Sequence, residues 1–336
     1  MTALWPLALA FALSCALTWV MWRGARRWGA LDQPNPRSAH RRPTPTLGGV
    51  GVVAGVWGAL LTGVGMDQVP AAVAWPLLAG SLALLPAIRD DLGPPLGVAQ
   101  KMALLLLACG AWLWCGPHLE WLILPGGARL EMGWWGWPLT ACWLLYWCNV
   151  FNFMDGIDGL TGLQTIAAAG WITLWTWHGA PSLAWFSLAL LAAAAGFLVF
   201  NLPPARIFMG DVGALSLGFW FAGLTLLAES AGVPLWIAGL PLGCYVYDTT
   251  YTLVRRAGRG SNLLRAHNQH LYQRLTRAGL SHRQVDLAVL LLTLLLGGSG
   301  QAFLQGAPGY GLLFLSVAGL ILATSTLWIE NKVPLD

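Results

Sequence analysis

The stretch PSLAWFSLALLAAAAGFLVFN, residues 181–201, carries no charged side chain over its whole length. A helix crossing the hydrocarbon core of a bilayer takes about 20 mainly apolar residues, and this run meets that length. Outward from it, similar runs recur at 2–22, 47–66, 71–88, 101–116, 134–153, 160–178, 211–229, 232–253, 285–306 and 309–328. With no water to satisfy the backbone in lipid, such runs form helices. The pattern predicts an all-α, polytopic integral membrane protein with about 10–11 transmembrane helices. No intervening stretch is long enough for a separate soluble domain, so residues 1–336 read as a single transmembrane domain.

Composition agrees. Hydrophobic residues make up 57% of the 336-residue chain and charged residues 10%, against about 25% charged in soluble domains. Mean hydropathy is +0.63. The six cysteines, Cys15, Cys109, Cys115, Cys142, Cys148 and Cys244, lie in or beside apolar runs without CxxC spacing; they read as small buried residues, neither a disulfide framework nor a zinc site. The first run has no basic residue before it and a basic segment after it, the reverse of a cleaved signal peptide, so it is expected to be a retained helix.

Charge sets an expected orientation. Arg23, Arg26, Arg27, Arg37, Arg41 and Arg42 follow the first run, Arg89 and Lys101 flank the turn after the third, and Arg206 follows the seventh. Arg255, Arg256, Arg259, Arg265, Arg274, Arg277 and Arg283 follow the ninth and Lys332 the last, leaving only Arg129 of the eighteen Lys and Arg residues opposite. The positive-inside rule makes the shared side cytoplasmic, with the N-terminus outside. The net charge of +4 comes from these loops; they face anionic headgroups, and nucleic acid is not expected as a partner.

Five polar motifs lie on that same side. Asp90 and Asp91 end the third run, where paired carboxylates at a membrane boundary require a cation; Mg²⁺ is a hard cation that accepts one or two carboxylates with substrate phosphates. In Asn149-Val-Phe-Asn152-Phe-Met-Asp155-Gly-Ile-Asp158-Gly, the two aspartates are three apart, which one helical turn would place on one face. Asn201-Leu-Pro-Pro-Ala-Arg206-Ile-Phe-Met-Gly-Asp211 has a rigid proline entry, an arginine for phosphate and an aspartate opening the next helix. His267, His270 and Arg274 recur at steps of three and four and would share one helix face suited to phosphate or sugar hydroxyls. His-x-x-His lacks a third soft ligand for a transition metal. Asp32 to Gly49, containing Arg41 and Thr46, is a proline-stiffened basic loop leading to a glycine pair. Arg255, Arg256, Arg277 and Arg283 read as solvated positive-inside charge, and Asp67, Glu120, Glu131, Glu229, His118 and His178 are assigned no role. Asp248 is open between pairing with Arg255 and joining the site.

In this order the motifs, Pro-Thr-Pro-Thr46-Leu-Gly-Gly, Asp90-Asp91-Leu-Gly, Asn149-x-x-Asn152-x-x-Asp155-Gly-Ile-Asp158-Gly-Leu, Phe-Asn201-x-x-Pro-Ala-x-Ile-Phe-Met-Gly-Asp211-x-Gly and the histidine loop, resemble the polyprenyl-phosphate N-acetylhexosamine-1-phosphate transferase superfamily, glycosyltransferase family 4. The likeness covers residues 32–275. It implies an enzyme of the bacterial inner membrane with a cytoplasmic cleft, transferring HexNAc-1-phosphate from a UDP-HexNAc to undecaprenyl phosphate and releasing UMP. Mg²⁺ is the implied cofactor, with Mn²⁺ as an alternative ion. By position, Asp211 matches the metal-ligating aspartate, with Asp155 and Asp158 nearby. Asp90 and Asp91 match the pair beside the phosphates. Asn152, Asn201, His267 and His270 match substrate-binding positions or loops, and Arg41 and Thr46 correspond approximately to positions lining the nucleotide pocket; Arg206 and Arg274 join the expected substrate-binding residues on their own chemistry.

The chain departs from the peptidoglycan-initiating branch at His267-Asn-Gln-His270, where that branch carries a run of histidines, and Pro34-Asn-x-Arg37-x-x-His40 fits the O-antigen-initiating branch better. A simple UDP-HexNAc or a 6-deoxy-HexNAc is therefore the expected donor, for O-antigen or another cell-envelope glycan. Direct displacement by the lipid phosphate is expected, with a two-step path through an aspartyl-phosphate as the alternative. Two other classes stay open. An intramembrane prenyltransferase would want Asp-x-x-x-Asp spacing, and a transporter would want inverted repeats with acids at the midplane. Monomer and homodimer are both compatible with the sequence.

Overall fold

The computed structural model describes residues 4–34, 42–93, 96–263, 265 and 267–334. Arg41, one of the expected substrate-binding residues, lies outside them, as do Arg37 and His40. Helix α1, Trp5–Trp28, leads through a two-residue ribbon, β1 (Leu31–Asp32) with β2 (Thr44–Pro45), into α2, Gly48–Gly65. Helix α3, Ala71–Leu84, passes through a 3₁₀ turn into the short α4, Ile88–Leu92, and α5 spans Val98–Cys115. A hairpin of β3 (Trp121–Ile123) and β4 (Arg129–Glu131) precedes α6, Gly136–Met154, and α7, Leu160–Thr176. Then come α8, Pro181–Asn201; α9, Asp211–Ser230; α10, Leu235–Gly239; α11, Gly243–Gly258; α12, Leu271–Arg277; α13, His282–Leu304; and α14, Pro308–Lys332.

Apart from the two small ribbons the described chain is helical, and each expected apolar run falls on helix. Among the described residues eight helical segments are long and apolar enough to cross a membrane. The runs at 134–153, 160–178 and 232–253 fall short for separate reasons. Helix α6 is diluted by Trp, Tyr and Asn side chains, and α7 has 17 residues. The third run is divided by a 3₁₀ turn at Leu240–Leu242, where Pro241 cannot continue the backbone ladder. The Pro241 carbonyl accepts a hydrogen bond from Gln164 Nε2 at 2.7 Å.

The bundle is built around α9, in which Val212 through Glu229 are all buried. A helix this deeply enclosed must let its neighbours approach closely, and small residues allow that. A Cβ on Gly218 would lie 2.3 Å from the Trp147 carbonyl oxygen of α6, and one on Gly49 of α2 would lie 2.4 Å from Gly213 Cα of α9. At the far end of α9 the Glu229 carboxylate accepts the backbone N–H groups of Ile123 and Leu235. An acid with no expected role thus ties the hairpin and the start of α10 to the central helix. At the opposite end, α9 begins with Asp211.

Gly218→Ala is expected to destabilise the protein by about 1–3 kcal/mol, because the added methyl meets backbone that cannot yield. Gly170→Ala, the same change at a helical glycine whose Cβ would meet nothing within 4 Å, should be neutral or slightly stabilising. Thermal unfolding of both variants in detergent checks the contrast.

Candidate active site

Four of the five motifs meet directly, and the fifth supports one of them from behind. The segment before α2 pairs with the segment before α9: Phe208 N–H donates to the Pro45 carbonyl at 2.8 Å, and Gly48 and Gly49 N–H donate to Phe208 and Met209 carbonyls at 2.9 and 2.7 Å. This lays Thr46 beside α4, where its hydroxyl donates to Asp91 Oδ1 at 2.9 Å. Gly210 has φ 77°, and a Cβ there would lie 2.5 Å from Asp91 Oδ2; only glycine lets the chain turn into α9 this close to a carboxylate. From α6, Asn152 Nδ2 donates to Asp211 Oδ1 at 2.9 Å. Behind the loop after α6, Tyr272 of α12 donates its hydroxyl to the Phe153 carbonyl at 2.9 Å.

The result is a cleft of about 500 Å³ lined by six aspartates, Asp32, Asp90, Asp91, Asp155, Asp158 and Asp211, together with Thr46, Asn152, Asn201, Gln273 and His282. No arginine is among its described lining residues. Lys101 of α5 stands at its edge and bridges two motifs, with Nζ 2.8 Å from Asp90 Oδ2 and 2.7 Å from Asp211 Oδ2. Asp91 Oδ2 is buried without a hydrogen-bond partner. Burial, with the neighbouring Asp211 adding to it, pushes Asp155 up to about 7, against the opposing influence of nearby Thr161.

So many carboxylates with an orphaned oxygen fit a divalent cation. Among the described residues no three His, Cys, Asp or Glu side chains converge to cage a metal. Mg²⁺ takes one or two carboxylates and completes its shell with phosphate oxygens and water. Asp211 and Asp155 are the placed candidates. Asp158 is turned aside: its Oδ2 accepts the Ala205 N–H at 3.0 Å and lies 3.3 Å from His282 Nδ1.

Several expectations need correction. Asp155 and Asp158 do not share a helix face, because α6 ends at Met154 and Asp155 takes a non-helical conformation. The two carboxylates therefore point to different partners. The His267, His270 and Arg274 stripe is absent as well, since α12 starts only at Leu271. His270 is buried against Asp248 at 3.0 Å, and Asp248 also accepts the Leu271 and Tyr272 N–H groups. That resolves Asp248 as a loop anchor; Arg255 pairs instead with Glu330 at 2.5 Å. Arg274 is fully buried, with Glu330 Oε1 at 2.5 Å and the Val333 carbonyl at 2.7 Å, so it does not face the cleft. Nor does Arg206, whose guanidinium lies over Trp22. Arg256, expected in solvent, is buried and donates to the Asn262 carbonyl at 2.6 Å and to Gln269 Oε1 at 3.1 Å. Asn201 reaches the cleft mainly as a strut, accepting the Gly159 N–H at 2.9 Å and donating to the Ile207 carbonyl at 2.8 Å.

Lys101, Gln273 and His282 escaped the sequence reading. Lys101 has one local signal, a lone cation opening an apolar run close after an aspartate pair, and the positive-inside pattern explains that equally well. His282 had no signal beyond its place after Ser281, which caps α13 through Gln284 N–H.

His267 is half-buried, and its pKa is pushed down to about 4 by burial and by the nearby His270 and Arg256. The unfolded chain takes up a proton there near 6.5 while the folded chain does not until about 4. Stability should therefore fall as pH drops through that window. His267→Gln should flatten this part of the fall, read as Tm against pH beside the parent protein.

Comparison with known proteins agrees with the geometry. Residues 73–229 match Glycosyl transferase family 4. The chain is 30% identical to a protein of Bacillus subtilis described as "Probable undecaprenyl-phosphate N-acetylglucosaminyl 1-phosphate transferase", over 94% of this chain and 83% of that one. It is 34% identical to a phospho-N-acetylmuramoyl-pentapeptide-transferase of Synechococcus, over 89% and 91%. It is also 29% identical to an undecaprenyl-phosphate alpha-N-acetylglucosaminyl 1-phosphate transferase of Salmonella typhi, over 89% and 83%. The aspartate motifs that build the cleft at Asp91, Asp155 and Asp211 all fall within the matched region, and the chain belongs to glycosyl transferase family 4.

Proposed function

We propose that this protein transfers N-acetylhexosamine-1-phosphate from a UDP-HexNAc donor to undecaprenyl phosphate, releasing UMP, with the cleft at the cytoplasmic face of a bacterial inner membrane. The observation that carries the reading is the meeting of Asp90, Asp91, Asp155 and Asp211 from three separate segments in one cleft, with Lys101 bridging two of them. The names of the relatives above support the same acceptor and a phospho-sugar donor. They divide between an N-acetylglucosaminyl and an N-acetylmuramoyl-pentapeptide group. The spacing of His267 and His270 favours the simpler sugar, in the initiation of O-antigen or a related envelope glycan.

Phosphoryl-type transfer calls for positioning and charge neutralisation more than covalent help. Asp211 is held for this by Asn152 and Lys101, and Asp155 stands beside it in the loop after α6. Mg²⁺ held by Asp211 and Asp155 would neutralise the donor diphosphate and the leaving UMP. Asp90, fixed by Lys101, and Asp91, fixed by Thr46, face the same space and orient the lipid phosphate for direct attack. Their part as bases is small, because a phosphate monoester is already largely ionised near neutral pH. Lys101 exchanges its carboxylate partners for phosphate oxygens once substrates fill the cleft.

Purified protein with undecaprenyl phosphate, Mg²⁺ and a panel of UDP-HexNAc donors should release UMP, fastest with UDP-GlcNAc. Asp211→Asn should lower kcat by about 10²–10³-fold. Absence of UMP from every donor, or an Asp211→Asn variant as active as the parent, would refute the assignment. Chelation with EDTA should abolish turnover, and Mg²⁺ or Mn²⁺ should restore it.

Lys101→Met removes the cation between Asp90 and Asp211, and kcat/KM is expected to fall at least about tenfold. Lys101→Arg should recover only part of the loss, because a planar fork does not replace a point charge held between two carboxylates. Steady-state kinetics on both variants tests this.

A further inference from the structure

Away from the cleft, two arginines from distant parts of the chain converge on one aromatic ring. The Arg23 guanidinium lies 4.9 Å from the centroid of Trp22 and 5.7 Å from that of Trp19, and Arg206 lies 5.7 Å from Trp22. Trp22 itself packs against Phe200 at the end of α8, with centroids 5.9 Å apart. Both arginines are exposed, and among the described residues neither guanidinium has a carboxylate or hydrogen-bond partner. A guanidinium over an indole keeps its N–H edges free, and those edges match phosphate oxygens. Two guanidinium groups gathered at one ring with no carboxylate partner among the described residues offer an anion two cationic contacts.

The surroundings identify that anion. The two elements carrying the arginines expose Trp19, Val20, Val199 and Leu202, at 47%, 39%, 52% and 49%, and α1 is among the least buried of the spanning helices. This is apolar surface of the kind that faces acyl chains. A lipid whose chains run along it would bring its headgroup to the level of Trp22, the depth at which tryptophan and arginine gather in membrane proteins. Neither arginine lines the aspartate cleft, so a lipid seated here does not compete with the donor.

We propose that Trp22, Arg23 and Arg206 form a seat for the phosphate of an anionic phospholipid in the cytoplasmic leaflet, separate from the catalytic cleft. The leaflet follows from the orientation given under the proposed function; the seat itself does not depend on the reaction. Arg206 is also the residue from which the chain runs on to Phe208 and Met209, whose carbonyls hold the glycines that open α2. The seat therefore lies on the back of a wall of the cleft.

The test is native mass spectrometry of the full-length protein, titrated with phosphatidylglycerol, phosphatidylcholine or undecaprenyl phosphate. The parent should hold one phosphatidylglycerol more tightly than phosphatidylcholine. The double variant Arg23→Gln/Arg206→Gln should weaken that binding about thirtyfold and leave phosphatidylcholine unchanged. Trp22→Leu should weaken it partially, and Arg26→Gln/Arg27→Gln should have little effect. Equal losses in the two arginine pairs would overturn the seat and leave only a diffuse basic surface. Displacement of phosphatidylglycerol by stoichiometric undecaprenyl phosphate, lost in the Arg23/Arg206 variant, would overturn the phospholipid assignment in favour of the acceptor. Because binding is read without turnover, a failed UMP assay and a failed seat are separate outcomes. Melting temperatures of the variants confirm that each is folded.

Discussion

Lys101 holds two carboxylates that arrive from different parts of the chain, Asp90 in the middle of α4 and Asp211 at the start of α9. Much of the cleft depends on that bridge. Without a cation between them, the two acids would repel at the edge of a low-dielectric bundle, and α4 would have little reason to sit against α9. The same side chain anchors α5, whose apolar body otherwise packs against α3 and α6. One ammonium thus links the packing of the bundle to the position of the acids, and the remaining carboxylates are arranged around it.

Other charges in the basic loops serve to fix the frame. Glu330, near the end of α14, accepts from Tyr251, Arg255 and Arg274 and so ties α11, α12 and α14 together. Asp248 fixes the start of α12 by accepting two consecutive N–H groups and the His270 ring. Tyr272 of that helix then reaches the loop carrying Asp155, where Gly156 leaves room for its hydroxyl. Helix α14 and the loop carrying Asp155 are connected by this chain of polar contacts, and each link is a charge, hydroxyl or N–H that would be costly to leave unpaired in the bundle.

How much of this was legible follows from the physics of each signal. Apolar length located all eight helices able to span a membrane among the described residues, because lipid imposes it residue by residue, and overcounted at 134–153, 160–178 and 232–253. Motif order located most of the cleft: Thr46, Asp90, Asp91, Asn152, Asp155, Asp158, Asn201 and Asp211 all line it. Spacing failed where it assumed helix. Asp155 and Asp158 lie just past the last turn of α6, and His267 and His270 precede α12, so a three-residue step carried no common face. Partner choice was not legible either. Arg274 looks like a phosphate ligand until Glu330, 56 residues away in sequence, takes up its guanidinium, and long-range ion pairs leave no local trace.

The balance of charge in the cleft constrains any chemistry there. Six aspartates line it, against Lys101 at the edge and His282 as the sole basic lining residue among those described. The arginines that could have offset them are committed elsewhere: Arg255 and Arg274 to Glu330, Arg256 to the loop after α11, and Arg206 to Trp22. A UDP-sugar and a lipid phosphate, the substrates of the proposed reaction, are both anionic, so each would enter this space against its field. A positive protein surface would bind two such substrates without further help, whereas this one would admit them together most readily with divalent cations that carry charge in alongside the phosphates. On that reading the acids act as the near side of a cation bridge whose far side is substrate.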